Sequence, residues 1–250
     1  PVSVRRRPDG STAVFPHFVL DRGKPGLLAV DRTGRRYVNE ATTYHLFGRA
    51  MHLAHQGRPT IPCWFLCNEL FARQYGLGMV RPRAGNLAAM VAGGYVRRAG
   101  DLPALAAAIG VDADELAATV ARHDGFATTG IDTDFGKGGD AYQRNLGDPT
   151  HRPNPCIGPL GAPPYLAIQV WPGDIGASVG LVTDADARVL DADGRPLPGL
   201  YACGNDMDSI MAGVYVGPGI TIGPAMTFGY IAAAHAARRN SIAAESNAEE

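Results

Sequence analysis

The chain has little of what would tie it to a charged polymer or a bilayer. Its 23 Lys and Arg residues stand against 24 Asp and Glu, for a formal net charge of −1. That balance makes no basic field for nucleic acid or an anionic membrane surface. No apolar run approaches the roughly 20 residues that a bilayer-spanning helix needs. The opening Pro1-Val-Ser-Val-Arg-Arg-Arg7 lacks the apolar core of a secretory signal. Cysteine is scarce: Cys63, Cys67, Cys156 and Cys203 are all there are. Cys63 and Cys67 make a C-x3-C pair with no second pair and no histidine nearby, which is not a zinc pattern. The expectation is no metal, and small buried thiols in a reducing cytoplasm. Walker and H-E-x-x-H motifs are also missing.

What remains is ordinary globular material. The 250 residues are 46% hydrophobic and 19% charged, which suits one large domain or two small ones. With 32 glycines and 19 prolines, the chain is loop-rich without being low-complexity. The first residue is proline rather than methionine, so the sequence is expected to be part of a longer protein.

Along the chain, an extended opening leads to Leu27-Leu-Ala-Val30, a turn at Asp31-Arg-Thr-Gly34 and a return strand at Arg36-Tyr-Val38, which reads as a hairpin. Residues 43–55 carry Leu46, Phe47, Ala50, Met51 and Ala54 at helical spacing. Residues 62–66 read as a buried strand. Asp101 is placed to cap a helix that has Pro103 in its first turn and stops at Gly110. Asp112 and Glu115 form a capping box for the next helix, with Leu116, Val120 and His123 on one face. His123 reads as a packing or surface residue, because no second ligand lies at helical spacing. Residues 128–164 read as a long irregular crossing segment. Short strands follow at 180–183, 188–190 and 198–204, separated by Asp-rich turns. Last, Gly217-Pro-Gly219-Ile-Thr-Ile-Gly223 feeds a helix that has Pro224 in its first turn and Arg238 and Arg239 near its end; a polar tail after residue 240 reads as frayed.

That final loop is where chemistry concentrates. The first turn of a helix leaves backbone N–H groups unpaired and carries about half a positive charge. Glycines let a ligand approach those groups closely. Read alone, the loop is either a plain turn or a seat for an anion such as a phosphate, a carboxylate or a reduced flavin ring. It is not a dinucleotide fingerprint, because its spacing is G-x-G-x-x-x-G with Pro218 inside. Tyr215, just before it, is either a structural residue or a donor to a carbonyl that becomes an enolate.

Residues 184–239 resemble the C-terminal end of FAD-dependent dehydrogenases of the fumarate reductase and 3-ketosteroid Δ1-dehydrogenase superfamily. The resemblance rests on Arg188-Val-Leu-Asp191, Pro198-Gly-Leu-Tyr-Ala-Cys-Gly-Asn205 and Tyr215-Val-Gly-Pro-Gly-Ile-Thr-Ile-Gly-Pro-Ala225. Gly34-Arg-Arg-Tyr-Val-Asn-Glu40 and Thr129-Gly-Ile-Asp-Thr-Asp-Phe135 resemble parts of the same family's substrate (cap) domain. The ketosteroid branch is the nearer one, since Val214-Tyr215-Val216 occupies the loop where fumarate reductases carry an arginine. Val216 departs from the proline that many ketosteroid enzymes have at that place.

The resemblance implies an α+β fold. Residues 1–172 would be the cap, 173–240 the C-terminal part of a glutathione-reductase-like FAD-binding domain, and 241–250 a tail. It implies FAD as cofactor, with the adenosine-binding segment lying before residue 1 and the chain alone holding half of the cofactor site. Tyr215 and the Gly219 N–H would polarise a substrate ketone. Tyr44 would lie at the removal of the α-proton, and a hydride would pass to flavin N5. Gly204, Asn205 and Asp206 would contact the ribityl chain, while Gly219, Thr221, Ile222 and Gly223 would face the flavin ring. A phenol removes such a proton only if its pKa falls below the usual value of about 10. The substrate would be a ketone, possibly a steroid in class. A fumarate-reductase-like alkene reductase and an inactive fragment or binding module remain as alternatives.

Overall fold

The computed structural model describes residues 1–18 and 21–246, with side chains to residue 239. The chain divides into two compact units, Pro1–Gly173 and Asp174–Glu250.

The first unit opens with the antiparallel hairpin β1 (Val2–Arg6) and β2 (Thr12–Pro16). Then come β3 (Leu28–Val30), α1 (Tyr44–His55), β4 (Cys63–Asn68), α2 (Glu69–Tyr75), α3 (Leu87–Ala92) and β5 (Val96–Ala99). They are followed by α4 (Leu102–Ile109), α5 (Ala113–Thr129), α6 (Ala141–Leu146) and β6 (Tyr165–Val170). The sheet runs β3-β4-β6-β5, with antiparallel neighbours throughout.

β4 explains its own sequence. Alternate residues of Cys63-Trp-Phe-Leu-Cys67 point to opposite faces, yet all are apolar, because both faces are covered. Cys63, Phe65 and Cys67 pack with Phe47 and Met51 of α1 and with Phe71 of α2. Trp64 and Leu66 pack with Leu105 and Ile109 of α4 and with Leu116 and Val120 of α5. Burial raises the Cys63 thiol to about 12, so it serves as packing, not as a nucleophile.

The helix ends follow local chemistry. The Asp101 carboxylate accepts the Ala104 N–H at 2.7 Å, and Gly110 closes α4 in the left-handed region at φ +71. Asp112 accepts the Glu115 N–H at 2.8 Å at the start of α5. Thr43 accepts the Leu46 N–H and starts α1.

Two expectations need correction in this unit and two in the next. The Asp31 turn forms, with Asp31 Oδ1 accepting from the Thr33 and Arg35 N–H groups, but the return strand shrinks to a single bridge between Val30 and Arg36. The chain curls there because the Arg36 guanidinium binds the Glu40 carboxylate four residues on, a pair that a strand would spread to about 13 Å. Residues 128–164 are not wholly irregular, since α5 runs to Thr129 and α6 lies within the segment. Of the two readings given for His123, packing is the one observed, since it is buried.

Glu40 is the polar centre of this unit. Arg36 grips both its oxygens at 2.9 and 2.8 Å and reaches Asp132 at 3.2 and 2.9 Å. The buried Lys137 ammonium lies 3.3 Å from Glu40 and donates to the Leu27 carbonyl at 2.7 Å. Ala29 of β3 donates its N–H to Glu40 at 3.1 Å. Burial alone would raise the Glu40 carboxyl; Arg36 and Lys137 outweigh it and hold the group far below the usual carboxylate range.

The second unit is smaller. β7 (Arg188–Leu190) pairs antiparallel with β8 (Pro196–Tyr201), and α7 (Ile222–Ser246) follows. Phe228 of α7 packs on Val189, Ala202 and Met207. Residues 180–183 make only single bridges, Leu181 to Met207 and Thr183 to Val189, because the Asp184 turn follows at once. The expected tail is also corrected: α7 continues through residues 241–246, where alanines and a glutamate favour helix and no Gly or Pro stops it. Residues 247–250 lie outside the described residues.

Much of this unit is bare. Ile222, Met226 and Tyr230 form an exposed apolar stripe on α7 at four-residue spacing, and Val179, Leu200 and Val216 are exposed as well.

Two measurements check the polar core of the first unit. Arg36→Met strands two buried carboxylates and should cost about 3–5 kcal/mol. Urea unfolding followed by tryptophan fluorescence reports it, since both tryptophans, Trp64 and Trp171, lie in the first unit; a loss within about 1 kcal/mol contradicts the assignment. Burial depresses the His123 pKa below 6.5, so the unfolded chain takes up the proton first as the pH falls through 6.5. Stability is therefore full above that pH and lost below it, and His123→Phe should flatten the decline.

Candidate functional site

Most of the candidate residues lie in the second unit, on two turns that meet at the start of α7. The first follows β8. Gly204 adopts φ +63, and a Cβ there would stand 3.1 Å from the Ala225 Cβ, so only glycine lets this turn approach α7 so closely. Asn205 and Asp206 follow it and are exposed, while Met207 turns inward. The Asp206 carbonyl accepts the Leu181 N–H at 2.8 Å, which anchors the turn from behind.

The second turn is the glycine loop. Gly213, Gly217 and Gly219 have positive φ values of 75, 154 and 97, and a Cβ at any of them, or at Gly223, would meet nothing within 4 Å. The backbone therefore faces open space. The Gly223 N–H donates to the Gly219 carbonyl at 2.8 Å, so that amide is spent inside the loop and Gly223 contributes access instead. Thr221 and Ile222 are exposed at the helix start. Pro224 stands in the first turn, where its missing N–H costs nothing. Tyr215 is half-buried and is not part of this unit's small core.

The structure thus brings together residues 204–206 with 219–225, two groups that lie apart in sequence. The positive end of a long helix, with a tyrosine four residues ahead of Gly219, can hold an anion or a polarised carbonyl. The open glycine backbone and the exposed Asn205 and Asp206 fit a flat, polar-edged group such as a flavin and its chain.

Tyr44 belongs to the first unit. It is the first residue of α1, half-buried, with its ring edge-on to Phe18 at 5.5 Å between centroids. Two neighbours escaped the sequence reading. One is Phe18 itself; the other is Arg22, fully buried behind the segment that leads into Tyr44. A lone arginine in a Gly-rich stretch carries no pattern, so nothing in the sequence flagged it. Among the described residues no group of His, Cys, Asp or Glu is arranged to hold a metal ion, and no helix is long and apolar enough to cross a membrane.

The model of the FAD binding domain family matches residues 1–222. The chain belongs to that family. As a member of the FAD binding domain family, it takes FAD as its cofactor. It is 39% identical over 228 residues to a 3-oxosteroid 1-dehydrogenase of Mycobacterium tuberculosis, covering 89% of this chain and 40% of that protein. It is 40% identical over 238 residues to a 4-oxocyclohex-2-ene-1-carboxylate 5-dehydrogenase of Sinomonas cyclohexanicum, covering 95% of this chain and 40% of that protein. Its mixed helix and sheet architecture superposes on the crystal structure of 3-ketosteroid Δ1-dehydrogenase from Sterolibacterium denitrificans with a TM-score of 0.85. That match is 39% identical and covers 94% of this chain and 42% of the other. The chain therefore spans about 40% of the length of the curated relatives it matches.

Gly204→Val tests the join between the two turns. A side chain in the left-handed region costs about 1–2 kcal/mol before the clash with Ala225 is counted. The variant should unfold its second unit at lower temperature, read by helical circular dichroism; an unchanged midpoint contradicts the close approach.

Proposed function

We propose that this chain is part of a flavoenzyme that introduces a double bond beside a ring ketone, as a 3-ketosteroid Δ1-dehydrogenase does. The observation that carries the reading is Tyr215, half-buried and four residues ahead of Gly219, where a side chain would meet only open space, in a chain whose relatives are named for such reactions. Those names have one thing in common: the 3-oxosteroid and the 4-oxocyclohexene carboxylate both carry a ketone on a six-membered ring and lose hydrogen next to it. The substrate class is accordingly a cyclic ketone with a six-membered ring, of which a steroid A ring is one instance.

In this reading residues 1–172 form the substrate-covering cap and 173–240 the C-terminal part of the FAD-binding domain. The bare stripe of Ile222, Met226 and Tyr230 supports the second assignment, since a stable protein covers such a face. The Gly204 turn, Asn205 and Asp206 hold the ribityl chain, and Gly219, Thr221, Ile222 and Gly223 border the ring. Bound FAD supplies the hydride acceptor. The Tyr215 hydroxyl and the Gly219 N–H donate to the ketone oxygen, which draws electron density from the ring and acidifies the α C–H. Tyr44 takes the α-proton, and the hydrogen on the β-carbon leaves with its electron pair.

Two experiments on the flavin-loaded protein test this. Anaerobic mixing with a 3-ketosteroid or with 4-oxocyclohexanecarboxylate should bleach the flavin, and succinate should not; bleaching by succinate alone would favour the alkene-reductase chemistry. Tyr215→Phe should keep its flavin and lose about 100-fold or more in kcat, the loss typical of one such donor. An unchanged kcat removes Tyr215 from the reaction.

A further inference from the structure

Arg22 is an unusual use of a guanidinium. It is fully buried, and among the described residues no carboxylate is in ion-pair contact with it. Burial lowers its pKa to about 10, so it stays charged at neutral pH. Its donors go to backbone carbonyls from two separate segments. Nε donates to the His17 carbonyl at 2.9 Å, and Nη2 to the Phe18 carbonyl. Nη1 donates to the Glu40 carbonyl at 2.7 Å and the Thr42 carbonyl at 3.0 Å. The face of the fork lies over the Phe47 ring, 4.9 Å from its centre.

Each of these contacts supports Tyr44 from a different side. Phe18 meets the Tyr44 ring edge-on. Residues 40–42 are the turn that delivers Tyr44 to the start of α1. Phe47 lies three residues further on, the next position on the same helix face. Only a planar fork with five donors spans carbonyls in that arrangement; a lysine or an apolar side chain of similar size does not.

We propose that Arg22 is a positioning residue: it fixes the backbone on both sides of Tyr44 and so sets the place of the phenol. The inference rests on the reading of Tyr44 as the proton acceptor, and acts only through it.

The test compares Tyr44→Phe, Arg22→Met, Arg22→Lys and the double variant Tyr44→Phe with Arg22→Met in the flavin-loaded protein. Arg22→Met should lower kcat by about 10- to 100-fold, the scale of a displacement near 1 Å. KM and flavin content should change by less than about 3-fold, the split expected when only the chemical step suffers. Arg22→Lys should fall between it and the parent. In the Tyr44→Phe background Arg22→Met should have no further effect, because a residue that acts through a hydroxyl has nothing to act on once it is gone. In protein labelled at the tyrosine ζ-carbon, the resonance that Tyr44→Phe removes should shift or broaden in Arg22→Met, along with those of Tyr37 and Tyr142, which lie in the field of the same guanidinium, while the more distant tyrosines stay.

Full turnover in Arg22→Met, or losses that multiply in the double variant, overturns the proposal and leaves Tyr44 standing. Full turnover in Tyr44→Phe overturns the reading of Tyr44 itself. Should Arg22→Met not fold, Phe18→Leu, which alters a partly exposed ring, takes its place with the same non-additive pattern required.

Discussion

The Glu40 carboxylate is the interaction on which the first unit depends. It receives Arg36, Lys137 and the Ala29 N–H through its side chain, and its own carbonyl receives Arg22. One residue therefore joins the sheet, through β3, to the loop that carries Asp132 and Lys137 and to the turn before Tyr44. Two cations and a backbone donor compensate its burial, so the carboxylate remains ionised where an unpaired one would take up a proton. The geometry of the Tyr44 turn follows from that network, because the i to i+4 grip of Arg36 on Glu40 forces the chain out of the extended form.

The second unit is governed by absence of side chains. Gly204 permits a turn to lie against Ala225, and Gly213, Gly217 and Gly219 hold positive-φ conformations with open space where a side chain would stand. Its hydrophobic core is small, while an apolar stripe runs along α7.

Local chemistry was legible and partner choice was not. Asp101, Asp112 and Gly110 mark helix ends because capping needs only a few neighbouring residues, and the structure has each of them in that role. The loop of residues 217–223 was legible as a helix entry for the same reason. The apolar run of β4 was readable as a strand, but not as the centre of a sheet ordered β3-β4-β6-β5, since that pairing joins residues a hundred positions apart. Tyr37 and Val38 look like strand residues and are buried, but a charge pair bends the chain beneath them. The glycine loop stood out by its helix entry, while the turn at 204–206 was found through family resemblance; their meeting at Ala225 is visible only in three dimensions. Arg22 and Phe18 left no signal, because their role lies in which carbonyls and rings fold around them.

The central claim is that Tyr215 and Gly219 form a donor pair for a ring ketone in the flavin-loaded protein. A crystal structure of that protein with a 3-ketosteroid bound tests it most directly. The ketone oxygen should sit within about 3 Å of both the Tyr215 hydroxyl and the Gly219 nitrogen. A steroid bound with its ketone elsewhere, and those two donors turned toward other groups, would contradict it.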